Sequence, residues 1–470
     1  MTTAFVEELR SSVTGTVIGP DDPDYGEARK VWNADIDRHP AVIVRCSSPE
    51  DVAAAIASAR ANGLEIAVRG GAHSMPGAST VDGGLVIDLS AMNTVMVDPV
   101  AKRARVGGGA LLGDVDAATQ EHGLAVPAGL VSHTGVGGLT LGGGMGWLTR
   151  FAGLSIDNLV SAQVVTADGH ILRAAGDENA DLFWAIRGGG GNFGVVTEFE
   201  FRLHEVGPIV QVGLQFWGLD DGGDVLRVAR DLIPGLPRDM NVMIVGLNAP
   251  PAPFVPEQYQ LQPGYALITV GLVSADDHAR VLARIREAVP PLWEFADAMP
   301  YVGLQQMVDE SNAWGLHCYD KGSYLADLTD EAIDVIVDHI PRKSSPLSIT
   351  LFYRLDEAYS EVGDDDTAFS GGRSPRYAIF IVAVCPVPEL LVADRAWARS
   401  FWEALLPHAI GGGAGGSYVN AMTDVDEDRV RASYGPAKFE RLARIKAEYD
   451  PENLFRRNAN IKPASPVAEG

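Results

Sequence analysis

Three glycine-rich segments carry the clearest chemical possibilities in this sequence: Arg69-Gly70-Gly71-Ala72-His73-Ser74, the run GVGGLTLGGGMG from Gly135 to Gly146, and Gly188 to Gly194. A backbone without side chains can approach a ligand closely, and successive N–H groups can cradle a pyrophosphate with no Lys or Arg. Any one cluster could serve only a tight turn; three in one half of the chain point to an anionic cofactor. Gly189 to Gly194 spell G-x-G-x-x-G. That fingerprint needs a strand before it and a helix after it, whereas here a helical segment around Trp184 precedes and a strand from Val195 follows. A Rossmann site is therefore rejected. The histidines show no H-x-x-x-H spacing and the cysteines, Cys46, Cys318 and Cys385, no C-x-x-C, so no metal centre is expected. No G-x-S-x-G elbow marks a hydrolase.

The elements that must hold these segments alternate along the chain. Ser48 is a helix cap before Pro49-Glu50-Asp51, Gly63 ends that helix, and a strand from Leu64 to Val68 runs directly into the first glycine cluster. A helix around Leu111 to Glu121 precedes the second cluster, which is too rich in glycine for a helix or a regular strand and reads as a loop. Strands from Ser161 to Ala167 and Ile171 to Ala174 form a hairpin around Asp168-Gly169. A helix from Asp181 to Ile186 then leads to the third cluster and a strand from Val195 to Leu203. Beyond Gly207 strands at Ile209 to Trp217, Asn241 to Leu247, Tyr265 to Leu272, Leu347 to Arg354 and Tyr377 to Val384 are separated by helices at Asp276 to Val289, Asp330 to Ile340 and Glu389 to Leu405. This order suggests one sheet with helices on one face. The tail from Pro436 to Tyr449 is a charged amphipathic helix.

At roughly 150 residues per domain, 470 residues should hold two or three folded units. Lys and Arg number 37 against 62 Asp and Glu, a net charge of −25 that repels nucleic acid and anionic membrane surfaces. No uncharged apolar run is long enough to cross a bilayer. An odd, scattered set of cysteines and a start, MTTAFVEELR, without a basic-then-apolar pattern indicate a reduced, cytoplasmic protein.

VRGGAHS, then PAGLVSHTGVGGLTLGGGMGWLTRFAGLSIDNLVSAQVVTADG, DLFWAIRGGGGNFGVVTEFEF and finally YDPENLFRRNANI resemble, in order from about Asp22 to Pro463, the berberine-bridge-enzyme-like FAD oxidoreductases. These belong to the vanillyl-alcohol-oxidase, or p-cresol-methylhydroxylase (PCMH), superfamily. Within that family the chain resembles bacterial members acting on hydroxynicotine and on polyketides. The resemblance implies an α+β fold: a two-subdomain FAD-binding domain of PCMH type over residues 1–206, and a substrate domain over 207–410 with an antiparallel sheet covered by helices. A segment over 411–470 would return to the FAD-binding domain. It further implies that Arg69, Gly70, Gly71, Ala72, His73 and Ser74 wrap the pyrophosphate. Thr134, Gly135, Gly138, Gly142 and Gly146 would line the flavin and its ribityl chain. Gly190, Gly194 and Val196 would hold the adenosine side, and Tyr418, Asn420, Asn458 and Asn460 would reach the flavin from the tail.

In this family the His of VRGGxHS is bonded to the flavin 8α-methyl carbon, so the resemblance assigns His73 a covalent link, which needs a neutral imidazole. Some members add a second link through Cys in the PAG loop; Val131 stands there, so one link is expected. Thr134 and Leu139 could shape an oxygen pocket, and His133 could pin the loop. Alcohol-oxidising relatives place a Tyr after the Asn of the Y-V-N motif, where this chain has Ala421, and a polyketide-oxidising relative has a Glu at a place matched to Thr350. The base is therefore sought among Tyr353, Tyr301, Tyr319 and Lys321. The expected activity is hydride removal from a small organic, aromatic, polyketide-like or amine-bearing metabolite, with O2 returning the flavin to its oxidised form and giving H2O2. An FAD-linked dehydrogenase, a flavin-oxygenating monooxygenase and a flavin-holding protein without turnover are the alternatives. Substrate identity and oligomeric state are left open by the sequence.

Overall fold

The computed structural model describes residues 3–412, 416–424 and 426–465. Ser48 accepts a hydrogen bond from the Asp51 backbone N–H and Pro49 opens the first turn, so the helix Pro49–Ala61 begins where its cap chemistry dictates. Its buried Val52, Ala55, Ile56 and Ala59 cover a four-stranded sheet ordered Thr16–Ile18, Val42–Arg45, Leu85–Asp88, Ile66–Arg69, in which the last three strands run parallel. The strand Ile66–Arg69 lies at the edge and delivers the chain into the first glycine cluster. A second, five-stranded antiparallel sheet runs Val95–Asp98, Arg103–Gly107, Val195–Arg202, Leu159–Val165, Ile171–Ala175, the last two being the expected hairpin.

The third sheet has seven antiparallel strands in the order Trp293–Pro300, Ile209–Gly218, Pro263–Gly271, Met240–Asn248, Ile349–Leu355, Arg376–Cys385, His317–Leu325. Its side chains alternate between two cores. Val242, Ile244, Phe352, Ile379 and Ile381 pack under the helices Gly222–Leu232, Ala275–Ala288, Asp330–His339 and Pro388–Leu405. The intervening Met243, Val245, Tyr353 and Phe380 face the half that carries the glycine segments. The fold is thus α+β, with helices confined to one face of this sheet, as expected. Two of its strands, Trp293–Pro300 and His317–Leu325, and the helix Gly222–Leu232 are not read from sequence. The first is an edge strand with mostly exposed residues, and the second interrupts its apolar pattern with Asp320, Lys321 and Gly322.

The second glycine cluster departs from expectation. Val136–Gly142 is a helix, and the chain turns at Gly143 and Gly144, whose φ values are 144° and 80°. Each helical glycine costs about 1 kcal/mol relative to Ala. Close packing offsets this: a Cβ at Gly71 would collide with the backbone N and Cα of Gly135, so the two glycine clusters touch main chain to main chain. The tail closes back onto the same half. The fully buried Lys446 donates to the Asn192 carbonyl and to Asp450, and Ile461 N–H donates to Asn192 Oδ1. Among the described residues no helix is long and apolar enough to cross a membrane.

Candidate functional site

All three glycine segments open onto one cavity of about 1410 Å³, larger than a pocket for a single drug-sized ligand. Gly70, Gly71, Ala72, His73 and Ser74 line it, as do Thr134, Gly135 and Gly138, Gly190, Gly194 and Val196, Tyr418 and Asn420, and Asn458 and Asn460. Val131 lies on the same wall. The residues fit a dinucleotide with a polar aromatic head. The Oδ1 atoms of Asn458 and Asn460 are buried in the wall without a hydrogen-bond partner among the described residues, and such atoms are costly unless a ligand satisfies them. Ala72 holds φ 57°, a left-handed conformation that turns the loop so that His73 follows onto the cavity wall.

His73 is fixed from two sides. Its ring stacks on Trp32 with centroids 4.6 Å apart, and its Nε2 lies 2.6 Å from His133 Nδ1. Burial, with the His133 ring adding to it, pushes its pKa down to about 3, so the imidazole is neutral. Trp32 is held in turn by its indole N–H on the Asn312 carbonyl, 2.6 Å, and by its backbone N–H on Ala72 O. Sequence reading missed Trp32, because a single tryptophan in an irregular stretch carries no spacing signal.

Tyr418 presents a hydroxyl that accepts from Gly144 N–H at 2.8 Å and from Asn420 Nδ2 at 3.0 Å. With both acceptor positions filled, its own proton is left for a partner in the cavity. Burial pushes its pKa up to about 12, which keeps that proton on the oxygen.

The opposite wall belongs to the seven-stranded sheet and is apolar: Met243, Val245, Leu351, Phe380 and Val382 face the cavity together with Tyr353. Tyr353 packs edge-on against Phe380 at 5.4 Å, and burial raises its pKa, so it is a hydrogen-bond donor rather than a base.

Several expected site residues lie elsewhere. Tyr319 and Lys321 point to the helix side of their strand: both bond Asp424, and the Lys321 ammonium sits over the Trp402 ring. Their neighbour Asp320, which sequence reading passed over, faces the cavity instead. Tyr301 is buried beside Asp116 and does not reach the wall. Thr350 packs on the helix side beside Phe352, while Leu351 and Tyr353 face inward. Arg69 turns its guanidinium away to the carbonyls of Ala28 and Arg29. Gly142 and Gly146 serve packing: a Cβ on the first would strike the Asn420 amide, and on the second the Ala128 carbonyl.

Residues 40–175 match the FAD binding domain family and residues 417–462 the family described as berberine and berberine like. The chain is 32% identical to (R)-6-hydroxynicotine oxidase of Paenarthrobacter nicotinovorans, over 96% of this chain and 97% of that one. It is 30% identical to an FAD-linked oxidoreductase of Dictyostelium discoideum, over 98% and 97%. The solved structure of 6-hydroxy-D-nicotine oxidase from Arthrobacter nicotinovorans superposes with a TM-score of 0.85 at 30% identity, covering 96% of this chain and 99% of that one. Glucooligosaccharide oxidase from Acremonium strictum, described with a 6-S-cysteinyl, 8α-N1-histidyl FAD, shares the fold at TM-score 0.83 and 24% identity, over 99% and 100%.

Proposed function

Because this chain belongs to the berberine-bridge-enzyme-like FAD-linked oxidoreductases, we propose that it is an oxidase of a small, largely apolar metabolite that tethers its FAD through His73. The FAD, when bound, supplies a hydride acceptor at N5 and a reduced state that O2 reoxidises with release of H2O2. The chain supplies the rest. The glycine segments and Asn458 and Asn460 hold the dinucleotide, and Tyr418 donates a hydrogen bond to it. His73 Nε2 is engaged by His133, which leaves Nδ1 as the nitrogen without a partner among the described residues and therefore the one to form the link. Val131 offers no thiol for a second link. Gly137 and Gly138 place no side chain on the cavity wall, and the oxidase reading rests on that lack of bulk over the dehydrogenase one. Met243, Val245, Leu351 and Phe380 exclude water and orient an apolar or aromatic substrate.

The observation that carries this reading is one large cavity lined both by a neutral His73 with the glycine segments and by the apolar side chains of the seven-stranded sheet. Purified protein should be yellow, and acid precipitation should leave the colour in the pellet. A panel of hydrophobic aromatic alcohols and amines should contain compounds that bleach it anaerobically and yield H2O2 in air. Flavin released to the supernatant overturns the tether. A flavin that substrate bleaches but air does not restore overturns the oxidase assignment.

A further inference from the structure

Ala421 leaves the apolar wall without the tyrosine that alcohol-oxidising relatives carry there, and the structure shows what occupies that part of the cavity. A Cβ at Gly322 would come within 3.1 Å of the Ala421 Cβ, so Ala421 packs on the inward face of the strand His317–Leu325. Asp320 is two residues from Gly322 and therefore on the same face, and it lines the cavity. On its other side, Cys318 packs against Trp32, the residue stacked on His73. The carboxylate thus stands between Ala421 and the His73 end of the cavity. It is the only carboxylate the seven-stranded sheet contributes to the cavity wall among the described residues.

Its two oxygens differ. Oδ1 accepts from the backbone N–H of Thr423 at 3.1 Å and from the Thr423 hydroxyl. Oδ2 has no hydrogen-bond partner among the described residues. A buried side chain held through one oxygen, with the other free at an otherwise apolar wall, has the geometry of a proton acceptor.

We propose that Asp320 is the catalytic base, taking the hydroxyl or amine proton of an apolar substrate. The C–H bond of the adjacent carbon breaks, and its hydrogen with the bonding electron pair would leave as hydride to the flavin, the two-electron oxidant. The O–H or N–H proton moves to Asp320 Oδ2, and a C=O or C=N bond forms. This assignment rests on the oxidase reading above and adds the substrate class: a hydrophobic molecule carrying one alcohol or amine donor on a carbon that bears hydrogen. Burial raises the Asp320 pKa to about 6, against the opposing Thr423 hydrogen bonds and the charges of Lys321 and Arg429, so the group is ionised above that pH. Arg399 and Asp424 stand with Lys321 on the outward face of the strand, and Cys318 and Tyr324 are the other titratable side chains on its inward face.

The test uses the flavinylated holoenzyme and its D320N, D320E and T423V variants. Without any substrate, the wild-type flavin absorption should shift with a midpoint near pH 6, the midpoint should rise in T423V, and the shift should vanish in D320N. With whichever alcohol or amine of the panel bleaches the wild type, D320N should be reduced some 10²–10⁴-fold more slowly, D320E should recover part of the rate, and the wild-type rate should fall below about pH 6. A D320N protein that keeps its covalent flavin, shows the wild-type spectral titration and is reduced at the wild-type rate overturns Asp320 while leaving the oxidase reading intact. A wild-type preparation without flavin overturns both.

Discussion

His73 and His133 meet through Nε2 and Nδ1 at 2.6 Å, with the ring planes tilted by 42°. One imidazole therefore fixes the orientation of the other, and the shared hydrogen bond leaves one nitrogen of His73 free at a cavity wall.

Covalent attachment should depend on both rings, unequally. His73→Ala should bind FAD only noncovalently, so that acid precipitation releases the colour. His133→Ala should still acquire the link, but slowly and to a lower final fraction, because Nε2 loses its partner and the ring its orientation. Intact-protein mass before and after incubation of apoprotein with FAD measures this. Equal rates in wild type and His133→Ala would remove the role given to His133.

Side-chain direction on the strand Ile349–Leu355 makes adjacent substitutions behave differently. Thr350 is buried under the helices, and a Glu there would place an unpaired carboxylate in that core. Thr350→Glu should lower stability by several kcal/mol or prevent folding. Leu351→Glu, facing the cavity, should give a folded yellow protein with weakened binding of apolar ligands. Thermal unfolding and ligand-induced flavin difference spectra separate the two, and the opposite pattern would mean that the register is wrong.

Tyr418→Phe removes the acceptor of one buried donor, Gly144 N–H, while the exposed Asn420 Nδ2 keeps the Leu139 carbonyl. A cost of about 1–3 kcal/mol follows from leaving the Gly144 N–H unsatisfied. Denaturant unfolding at pH 7 should show it as a lower midpoint with an unchanged slope. No change would indicate that water reaches the Gly144 N–H.

Asp116 is fully buried with one hydrogen bond from Gln305 Nε2 at 3.2 Å, and burial raises its pKa to about 7. The folded state therefore binds this proton more tightly than the unfolded state, so its contribution is most favourable below the ordinary Asp value and is lost as pH rises through about 7. Asp116→Asn should stabilise the protein at pH 8, on the order of a few kcal/mol, with the difference shrinking towards pH 4. Melting temperatures across that range check the sign; a gain that grows on acidification would contradict it.

Features set by neighbours in the chain were legible in the sequence. Ser48 caps its helix through Asp51, the Asp168-Gly169 turn joins two strands, and the glycine clusters mark where backbone lines the cavity, because capping, turn geometry and the absence of a Cβ are local properties. His73 was singled out by the resemblance of its VRGGAHS motif to a known family. Its stacking on Trp32 was not legible, since 41 positions and no periodicity separate the two.

Contacts between distant segments decided the rest. The glycine-rich stretch became the helix Val136–Gly142 because Gly71 and Gly135 pack main chain to main chain, which intrinsic propensity does not register. On the strand His317–Leu325 the sequence presents Tyr319, Asp320 and Lys321 side by side, and pairing with Arg376–Cys385 alone sets which of them turns inward. Side chains on a strand alternate with a period of two, so a register shift of one residue exchanges the faces. That choice gave Asp320 to the cavity and Tyr319 and Lys321 to Asp424, and only the assembled sheet could make it.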